Sequence, residues 1–213
     1  MNLVDRVQSI LLRPKLTWLA IDEEPADAAS IYKNYVMILA LIPAVASFIG
    51  LSFVGLGAFG MRFRVPISSG IANMVVGYVL SLVMVLLLAL IIDAMAPTFE
   101  GTRSQIGALK LSAYASTAAF VGGIFSLLPS LSVIGALAAL YGVYLLYTGL
   151  PVLMKCPGDK AIAYTAVVVV CAMVGGLTMA WVLSLLTPSP VRLGALPAAD
   201  AVVAVQQLAF ARA

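Results

Sequence analysis

The chain alternates between long apolar stretches and short polar segments. Runs without a charged residue extend over 34–61, 65–92, 111–154 and 161–191. A helix that rises about 1.5 Å per residue needs roughly 20 apolar residues to cross a hydrocarbon layer of about 30 Å. Three runs therefore fit one crossing each, and the run over 111–154 is long enough for two. This pattern predicts five transmembrane helices.

Strands do not fit the same stretches. A strand of a membrane barrel alternates apolar and polar residues, whereas the segment 81–92 is apolar on all sides of a helix. With 63% hydrophobic and only 10% charged residues, the chain also has too little polar surface for a soluble globule. We therefore predict an all-α integral membrane protein, built as a bundle of five transmembrane helices.

Breaks that contain proline and glycine set the boundaries of the spans. They predict a transmembrane domain over 35–187, with spans at about 35–58, 69–95, 103–128, 132–154 and 160–186. Thr102 and Gln105 have capping-box spacing, which favours a start of the third span near Arg103. The tail over 188–213 could form one amphipathic helix, too short for a sixth crossing.

The first 34 residues form a mixed polar and apolar segment, for which we predict two short interfacial helices. In the first, Leu3, Val7, Ile10 and Leu11 share one face, opposite Asp5, Arg6 and Ser9. Pro14 could start the second helix. Trp18 would then be an interfacial anchor at the level of the lipid headgroups.

Basic residues predict how the bundle is oriented, because cytoplasmic loops carry an excess of lysine and arginine. A cytoplasmic N-terminus places eight of them inside: Arg6, Arg13, Lys15, Lys33, Arg103, Lys110, Lys155 and Lys160. Four would lie outside: Arg62, Arg64, Arg192 and Arg212. We expect a multi-pass protein of a bacterial inner membrane, with its N-terminus cytoplasmic and its C-terminus extracytoplasmic.

Two ionisable residues near the membrane, Asp93 and Lys110, are candidates for a charged site. A hairpin of the second and third spans could bring them together as an ion pair. One interpretation is an ion or proton site, because charges at membrane depth are costly and often functional. The other is a structural ion pair at the helix ends.

Lysine and tyrosine recur four residues apart on two of the predicted spans. We expect them, together with tyrosines of the fourth span, to converge in one cytoplasm-facing pocket that contacts an anionic lipid headgroup or a partner: Lys110, Tyr114, Tyr144, Tyr147, Lys160 and Tyr164. The alternative is an aromatic belt with lysines that reach toward the headgroups. Small residues at four-residue spacing on the third to fifth spans also predict close helix packing.

The sequence offers no equipment for catalysis. Histidine is absent, so a Ser-His dyad and a histidine metal site are both excluded. No glycine-rich phosphate loop is present. We expect no enzyme activity, no cofactor and no metal, and the dispersed charge gives no reason to expect nucleic acid as a partner.

Several stretches, in this order on five spans, resemble the Yip family of membrane proteins, named for interaction with Ypt/Rab GTPases, and in particular its short bacterial type. They are 13–24 (RPKLTWLAIDEE), 96–102 (APTFEGT), 110–117 (KLSAYAST) and 144–154 (YLLYTGLPVLM), followed by Lys160. The resemblance implies a five-span fold and a role in scaffolding or shaping membranes. It implies no catalytic residues.

The leading hypothesis is a non-enzymatic protein that organises membrane through lipids, including anionic ones, or through other membrane proteins. The alternative is a small transporter or channel component. The N-terminal segment is too short for the cytosolic domain with which eukaryotic relatives recruit a GTPase. We therefore do not expect a Rab-type GTPase as a partner.

Overall fold

The N-terminal segment forms two short helices ahead of the bundle. The computed structural model describes residues 2–58, 61–63, 65–128 and 131–186. Helix α1 covers Leu3–Leu12 and helix α2 covers Pro14–Glu23. Pro14 occupies the first position of α2, where its missing N–H costs no helical hydrogen bond. Both predicted helices are therefore present.

The first two spans are joined by a short antiparallel ribbon. The first span, Ala28–Val54, consists of α3 (Ala28–Ile31), a π-helical turn (Tyr32–Val36), α4 (Met37–Ile49) and a second π-helical turn (Gly50–Val54). Strands β1 (Leu56–Ala58) and β2 (Met61–Phe63) follow, with Leu56 opposite Phe63. The second span is α5 (Ile67–Met95), which continues into a 3₁₀ turn (Ala96–Phe99).

The remaining three spans complete the predicted five. The third consists of α6 (Gln105–Ala115), α7 (Thr117–Gly122) and a 3₁₀ turn (Gly123–Leu127). The fourth is α8 (Ser132–Leu153), and the fifth is α9 (Gly158–Leu186). All five are long and apolar enough to cross a membrane. The predicted all-α membrane bundle is confirmed.

Some boundaries differ from the prediction for identifiable reasons. The third span begins at Gln105, because the Ser104 hydroxyl, not that of Thr102, caps it by accepting a 3.1 Å hydrogen bond from the Gly107 N–H. The first span starts at Ala28 rather than near 35, since Tyr32–Val36 continues the helix through the polar residues Lys33 and Asn34. The predicted tail over 188–213 lies outside the described residues.

The third span lies at the centre of the bundle and is the most buried of the five. It packs against α5 on one side and α8 on the other, while α5 also contacts α4 and α9. The N-terminal helices pack on this framework, α2 against α8 and α1 against α2 and α7. They therefore add a second layer to one end of the bundle.

Three segments meet at that end, which we call the N-terminal face: α1–α2, residues 96–104 and residues 154–157. The Thr102 N–H donates a 2.8 Å hydrogen bond to the Met154 carbonyl oxygen. Lys155 pairs with Asp22, and Lys160 pairs with Glu100. Because these contacts join all three segments, the segments lie on the same side of the bundle.

Candidate functional site

A cluster of charged and aromatic side chains joins the N-terminal helices to the third and fourth spans. We call Arg6, Trp18, Glu24, Lys110 and Tyr114 the docking cluster. Arg6, Trp18, Lys110 and Tyr114 are buried, with no more than 8% of any of them exposed. Such burial of two basic residues calls for specific partners, since an unpaired buried charge is costly.

Lys110 holds the end of α2. Its ammonium nitrogen donates hydrogen bonds to the carbonyl oxygens of Ile21, at 2.7 Å, and Glu24, at 2.6 Å. The last carbonyls of a helix have no partner within the helix and carry its partial negative charge. Lys110 therefore caps α2 from a span that lies far away in the sequence.

Arg6 and Glu24 close the cluster from the outer side. The guanidinium of Arg6 pairs with the carboxylate of Glu24, with 2.6 Å between Nη2 and Oε1. The same guanidinium lies 5.8 Å from the centre of the Tyr114 ring, within range of a cation–π contact. Arg6 therefore faces the protein, and its predicted place on the outer face of α1 is wrong. Arg6 lies on the same side of α1 as Ile10, which comes four residues later and is also buried.

Trp18 is fully buried, so its predicted role as an anchor among lipid headgroups is wrong. Its indole Nε1 donates a 3.2 Å hydrogen bond to the Thr148 hydroxyl oxygen. Its ring meets the edge of Tyr114, with 6.4 Å between centres. Gly149 makes room for it, because a Cβ atom there would lie 2.8 Å from the indole ring. Trp18 thus fixes α2 on α8.

Tyr114 extends the cluster toward the first span. Its ring packs against that of Tyr35, with 4.7 Å between centres and 64° between planes. The Tyr35 hydroxyl forms a 2.7 Å hydrogen bond with the hydroxyl of Thr117 in α7. The cluster is therefore continuous with the contacts that hold the first and third spans together.

The six lysines and tyrosines predicted to contact lipid or a partner do not form one pocket. Lys110 and Tyr114 belong to the docking cluster, whereas Lys160 pairs with Glu100. The hydroxyl of Tyr164 donates to the Ile92 carbonyl, and its ring stacks on Phe99 with 4.8 Å between centres. The predicted convergence is wrong because the two lysine–tyrosine pairs face different neighbours.

Tyr144 and Tyr147 lie on the outer surface of α8, 42% and 39% exposed. Their neighbour Tyr141 instead donates a 2.6 Å hydrogen bond to the Leu11 carbonyl in α1. The tyrosines of α8 therefore divide into one that holds the N-terminal helices and two that face the surroundings.

The predicted ion pair between Asp93 and Lys110 is also absent. Lys110 is engaged by the two carbonyls of α2, and among the described residues Asp93 forms no ion pair. Its Oδ1 is buried and has no hydrogen-bond partner. Lys110 caps α2 instead of pairing with Asp93, because the docked end of α2 places two carbonyl oxygens within reach of its ammonium group.

Of the predicted close-packing positions, Gly123 on the third span meets a neighbour within the chain, whereas Gly176 on the fifth span has no neighbour within 4 Å of where a Cβ atom would lie. A Cβ atom at Gly123 would lie 2.5 Å from the Pro43 side chain, and one at the adjacent Gly122 would lie 2.3 Å from the Ala138 side chain. Small residues of three spans instead line an open cleft of about 290 Å³, together with larger neighbours. The small residues are Ala115, Ala119, Ala139, Gly142 and Ala172. Small residues of these spans therefore allow close helix contact in one place and leave open space between the helices in another.

Cys156, between the fourth and fifth spans, is the one described cysteine on the N-terminal face. Burial, reinforced by the negative charge of Asp159, raises the pKa of its thiol. A reactive cysteine needs the opposite shift, because the thiolate is the nucleophile. The described residues also contain no group of three His, Cys, Asp or Glu that could hold a metal ion.

The fold and the docking cluster define a five-span membrane protein with a helical pair fixed to one end of its bundle. Residues 9–186 match the family model of the Yip1 domain, so the chain belongs to the Yip1 family. This confirms the resemblance seen in the sequence.

Two relatives give the family a bacterial setting. The chain is 23% identical over 167 residues to Inner membrane protein YohC of Escherichia coli strain K12, and equally to the protein of the same name from strain O6:H1. Each comparison covers 76% of this chain and 86% of the relative. No solved structure matches the chain.

Proposed function

We propose that this protein is a non-enzymatic scaffold that organises a bacterial inner membrane through lipid or protein partners bound at its N-terminal face. The observation that carries the proposal is that the ammonium group of Lys110 is engaged by hydrogen bonds within the protein. This buried cation, the best candidate for an ion or proton site, donates to two main-chain carbonyls of α2. Its charge serves to fix the shape of the N-terminal face.

A scaffold needs a surface of fixed shape, since partners that bind a preorganised surface lose less entropy in binding. Here α1 and α2 are held by the docking cluster and by the ion pair of Lys155 with Asp22. Their outer sides leave Asp5, Gln8, Arg13 and Lys15 exposed. These polar groups are available to partners while the helices beneath them stay in place.

The proposed location follows the relatives and the charges. The curated relatives are named inner membrane proteins. The excess of lysine and arginine on the N-terminal side favours a cytoplasmic N-terminal face. Partners would then approach from the cytoplasm or from the inner leaflet.

The test compares what co-purifies with wild type, Lys110→Met and Lys33→Met from the same bacterial host. Lys33 is exposed and forms no ion pair among the described residues, so its variant controls for the loss of one charge. We expect lipids or proteins recovered with wild type and Lys33→Met to be depleted from Lys110→Met. An unchanged set from a Lys110→Met protein with a released N-terminal pair would refute the scaffold role of this face.

A small transporter or channel component is the second candidate, supported by a mainly apolar cleft that contains several polar side chains. Between the first and second spans and the end of the third, a cleft of about 230 Å³ is lined partly by Ser47, Asn73, Ser81 and Ser126. Proteoliposomes distinguish the two functions. Solute or proton flux that depends on the purified protein and falls in Asn73→Leu would favour transport.

A further inference from the structure

The α1–α2 pair extends down one side of the bundle from the N-terminal face. The hydroxyl of Tyr141, near the middle of α8, donates to the Leu11 carbonyl in α1, and Trp18 donates to Thr148 farther along α8. Helix α2 therefore runs alongside α8 toward the N-terminal face. Tyr141 lies 12 residues before the end of α8, about 18 Å along the axis. The turn between α1 and α2 thus lies well below that face.

The start of the first span lies beside α1 at a similar depth. Arg6 on α1 and Tyr35 on the first span both contact the ring of Tyr114. Tyr35 also bonds to Thr117, which follows the start of the third span by 12 residues, about 18 Å. Asn34, the neighbour of Tyr35 in the chain, therefore also lies well below the N-terminal face.

Polar side chains are exposed along this side of the protein. They belong to α1, α2 and the first turns of the first span, and we call them the polar sector: Asp5, Gln8, Arg13, Lys15, Ser30 and Asn34. Val4, Leu16 and Leu19 are exposed among them, so the surface is mixed. A mixed surface of this kind fits the headgroup region, whereas charged groups among acyl chains are costly.

Beyond the polar sector, toward the far end of the bundle, the exposed side chains form a short apolar belt. On the first span they extend over 37–53, about 24 Å by the helical rise. Across the bundle, exposed apolar side chains extend over 67–90 on α5 and over 162–186 on α9, about 35 Å each. The apolar belt is therefore about 10 Å shorter on the first span.

This difference arises at the N-terminal end of the belt. At the far end the first two spans are level, since a Cβ atom at Gly70 would clash with the Ser52 hydroxyl. A tilt of the bundle moves both boundaries of one side together, so it cannot equalise the two belts. A short belt is accommodated by a thinner bilayer or by long side chains that reach the headgroups. Asp5 and Asn34 favour the thinner bilayer, because their side chains are too short to reach far.

Two further observations indicate that headgroups lie at this depth. Tyr144 and Tyr147 are exposed on α8 next to α2, as is common for tyrosines at a membrane interface. Arg13 and Lys15 are exposed and form no ion pair among the described residues. Unpaired basic residues attract lipid phosphates.

We propose that phospholipid headgroups of the leaflet next to the N-terminal face descend along the polar sector, with phosphates on Arg13 and Lys15. Their acyl chains lie farther from that face, along Leu137 and Leu140 of α8, which are 60% and 65% exposed. The bilayer is then thinner beside α1 and α2 than beside α5 and α9. The proposal rests on the proposed function, because it states how lipids meet the N-terminal helices.

Asn34 and Leu86 form a matched pair for testing this boundary. Tyr32 donates to the Leu82 carbonyl, which places the start of the first span beside this part of α5. Leu86 is exposed and lies four residues nearer the N-terminal face than Leu82, so it is no farther from that face than Asn34. A membrane boundary of uniform height would therefore cover Leu86 no more deeply than Asn34.

Spin labels on Asn34→Cys and Leu86→Cys measure these depths in dioleoyl phosphatidylethanolamine and phosphatidylglycerol vesicles, with both native cysteines replaced by alanine. We expect a water-soluble nickel chelate to relax the Asn34 label more strongly than oxygen does. The Leu86 label should show the reverse, because oxygen concentrates among acyl chains. Relaxation dominated by the same reagent at both sites would overturn the proposal. So would shielding of the Asn34 label from both reagents, which a covering protein copy would cause.

A charge variant tests the role of the two basic residues. Arg13→Leu with Lys15→Leu should let acyl chains reach the polar sector, so a label on Gln8→Cys should change from nickel-dominated to oxygen-dominated relaxation. Arg13→Lys with Lys15→Arg keeps both charges and should leave that label unchanged. Because both residues face outward, Trp18 should stay shielded from iodide in a Trp181→Phe background. An equal response of the Gln8 label to both variants would overturn the phosphate contacts.

The outcome is separable from that of the scaffold proposal. If the Asn34 and Leu86 labels report the same environment while Lys110→Met still loses partners, the scaffold proposal stands and the lowered boundary fails. If the two labels differ as expected while Lys110→Met loses no partner, the reverse holds. Each proposal can therefore fail alone.

Discussion

Replacing Lys110 by methionine should release the N-terminal helices from the bundle. The change keeps an apolar chain of similar length but removes the ammonium group that donates to Ile21 and Glu24 at 2.7 and 2.6 Å. A hydrogen bond to a charged group contributes about 1.5 kcal/mol at the low end. Losing two should therefore cost about 3 kcal/mol, which shifts docking about 100-fold toward the released form.

Trp18 reports this release directly, because it is fully buried when docked. The other tryptophan, Trp181, is 64% exposed on α9 and is removed by Trp181→Phe. In that background we expect iodide to quench Trp18 weakly in the parent protein and strongly after Lys110→Met. Hydrogen exchange of residues 14–23 should rise in parallel.

Lys160→Met is the matched control for the loss of a lysine on the same face. Its ion pair with Glu100 is partly exposed, and such pairs contribute at most about 1 kcal/mol. Quenching of Trp18 should therefore stay at the level of the parent protein. If Lys110→Met also leaves quenching and exchange unchanged, the capping of α2 by Lys110 does not hold the N-terminal pair.

Two further substitutions test the packing around this site. Gly149→Ala should lower the thermal midpoint and expose Trp18, because the new methyl group would lie 2.8 Å from the indole, whereas Gly176→Ala has no neighbour within 4 Å and should be neutral or stabilising. Equal effects of the two alanines would contradict the fit of Trp18 on Gly149. Asp93→Asn should leave the thermal midpoint unchanged or raise it, because the buried Oδ1 has no partner to lose. A marked drop in thermal scans would instead show that this carboxylate has a stabilising partner.

The bundle could be predicted from the sequence because the membrane requires it. Runs of about 20 apolar residues have few alternatives to a helix in lipid, where main-chain groups must be paired within the segment. Short polar loops then separate the five spans. Helix ends were predicted less well, since capping depends on which hydroxyl is close enough, and Ser104 rather than Thr102 caps α6.

The docking cluster could not be predicted, because its contacts join residues that are distant in the sequence. Lys110 meets Ile21 and Glu24, which are 89 and 86 residues away. The periodicity of the apolar residues did not predict which side of α2 is buried, since Trp18 and Ile21 face the protein while Leu16 and Leu19 face outward. Both sides of that helix are apolar, so the sequence alone does not tell which side is buried.

The ion pairs raise a question about the predicted orientation, because they neutralise basic residues on the N-terminal face. Arg6, Lys155 and Lys160 each have a carboxylate partner. The rule that orients membrane proteins nevertheless counts lysine and arginine, and acidic residues contribute little to it. Pairing in the folded bundle therefore leaves the eight-to-four distribution of basic residues intact as an argument for a cytoplasmic N-terminus.

Single cysteines at the two ends of the second span test this orientation, in a background with Cys156 and Cys171 replaced by alanine. Ser68 and Thr98 are both exposed and lie 30 residues apart, at opposite ends of the second span. In intact cells whose outer membrane has been permeabilised, a membrane-impermeant maleimide should label Ser68→Cys. It should not label Thr98→Cys until the inner membrane is also opened. Labelling of Thr98→Cys alone would place the N-terminal face outside, where a surface built from paired charges would meet extracytoplasmic rather than cytoplasmic partners.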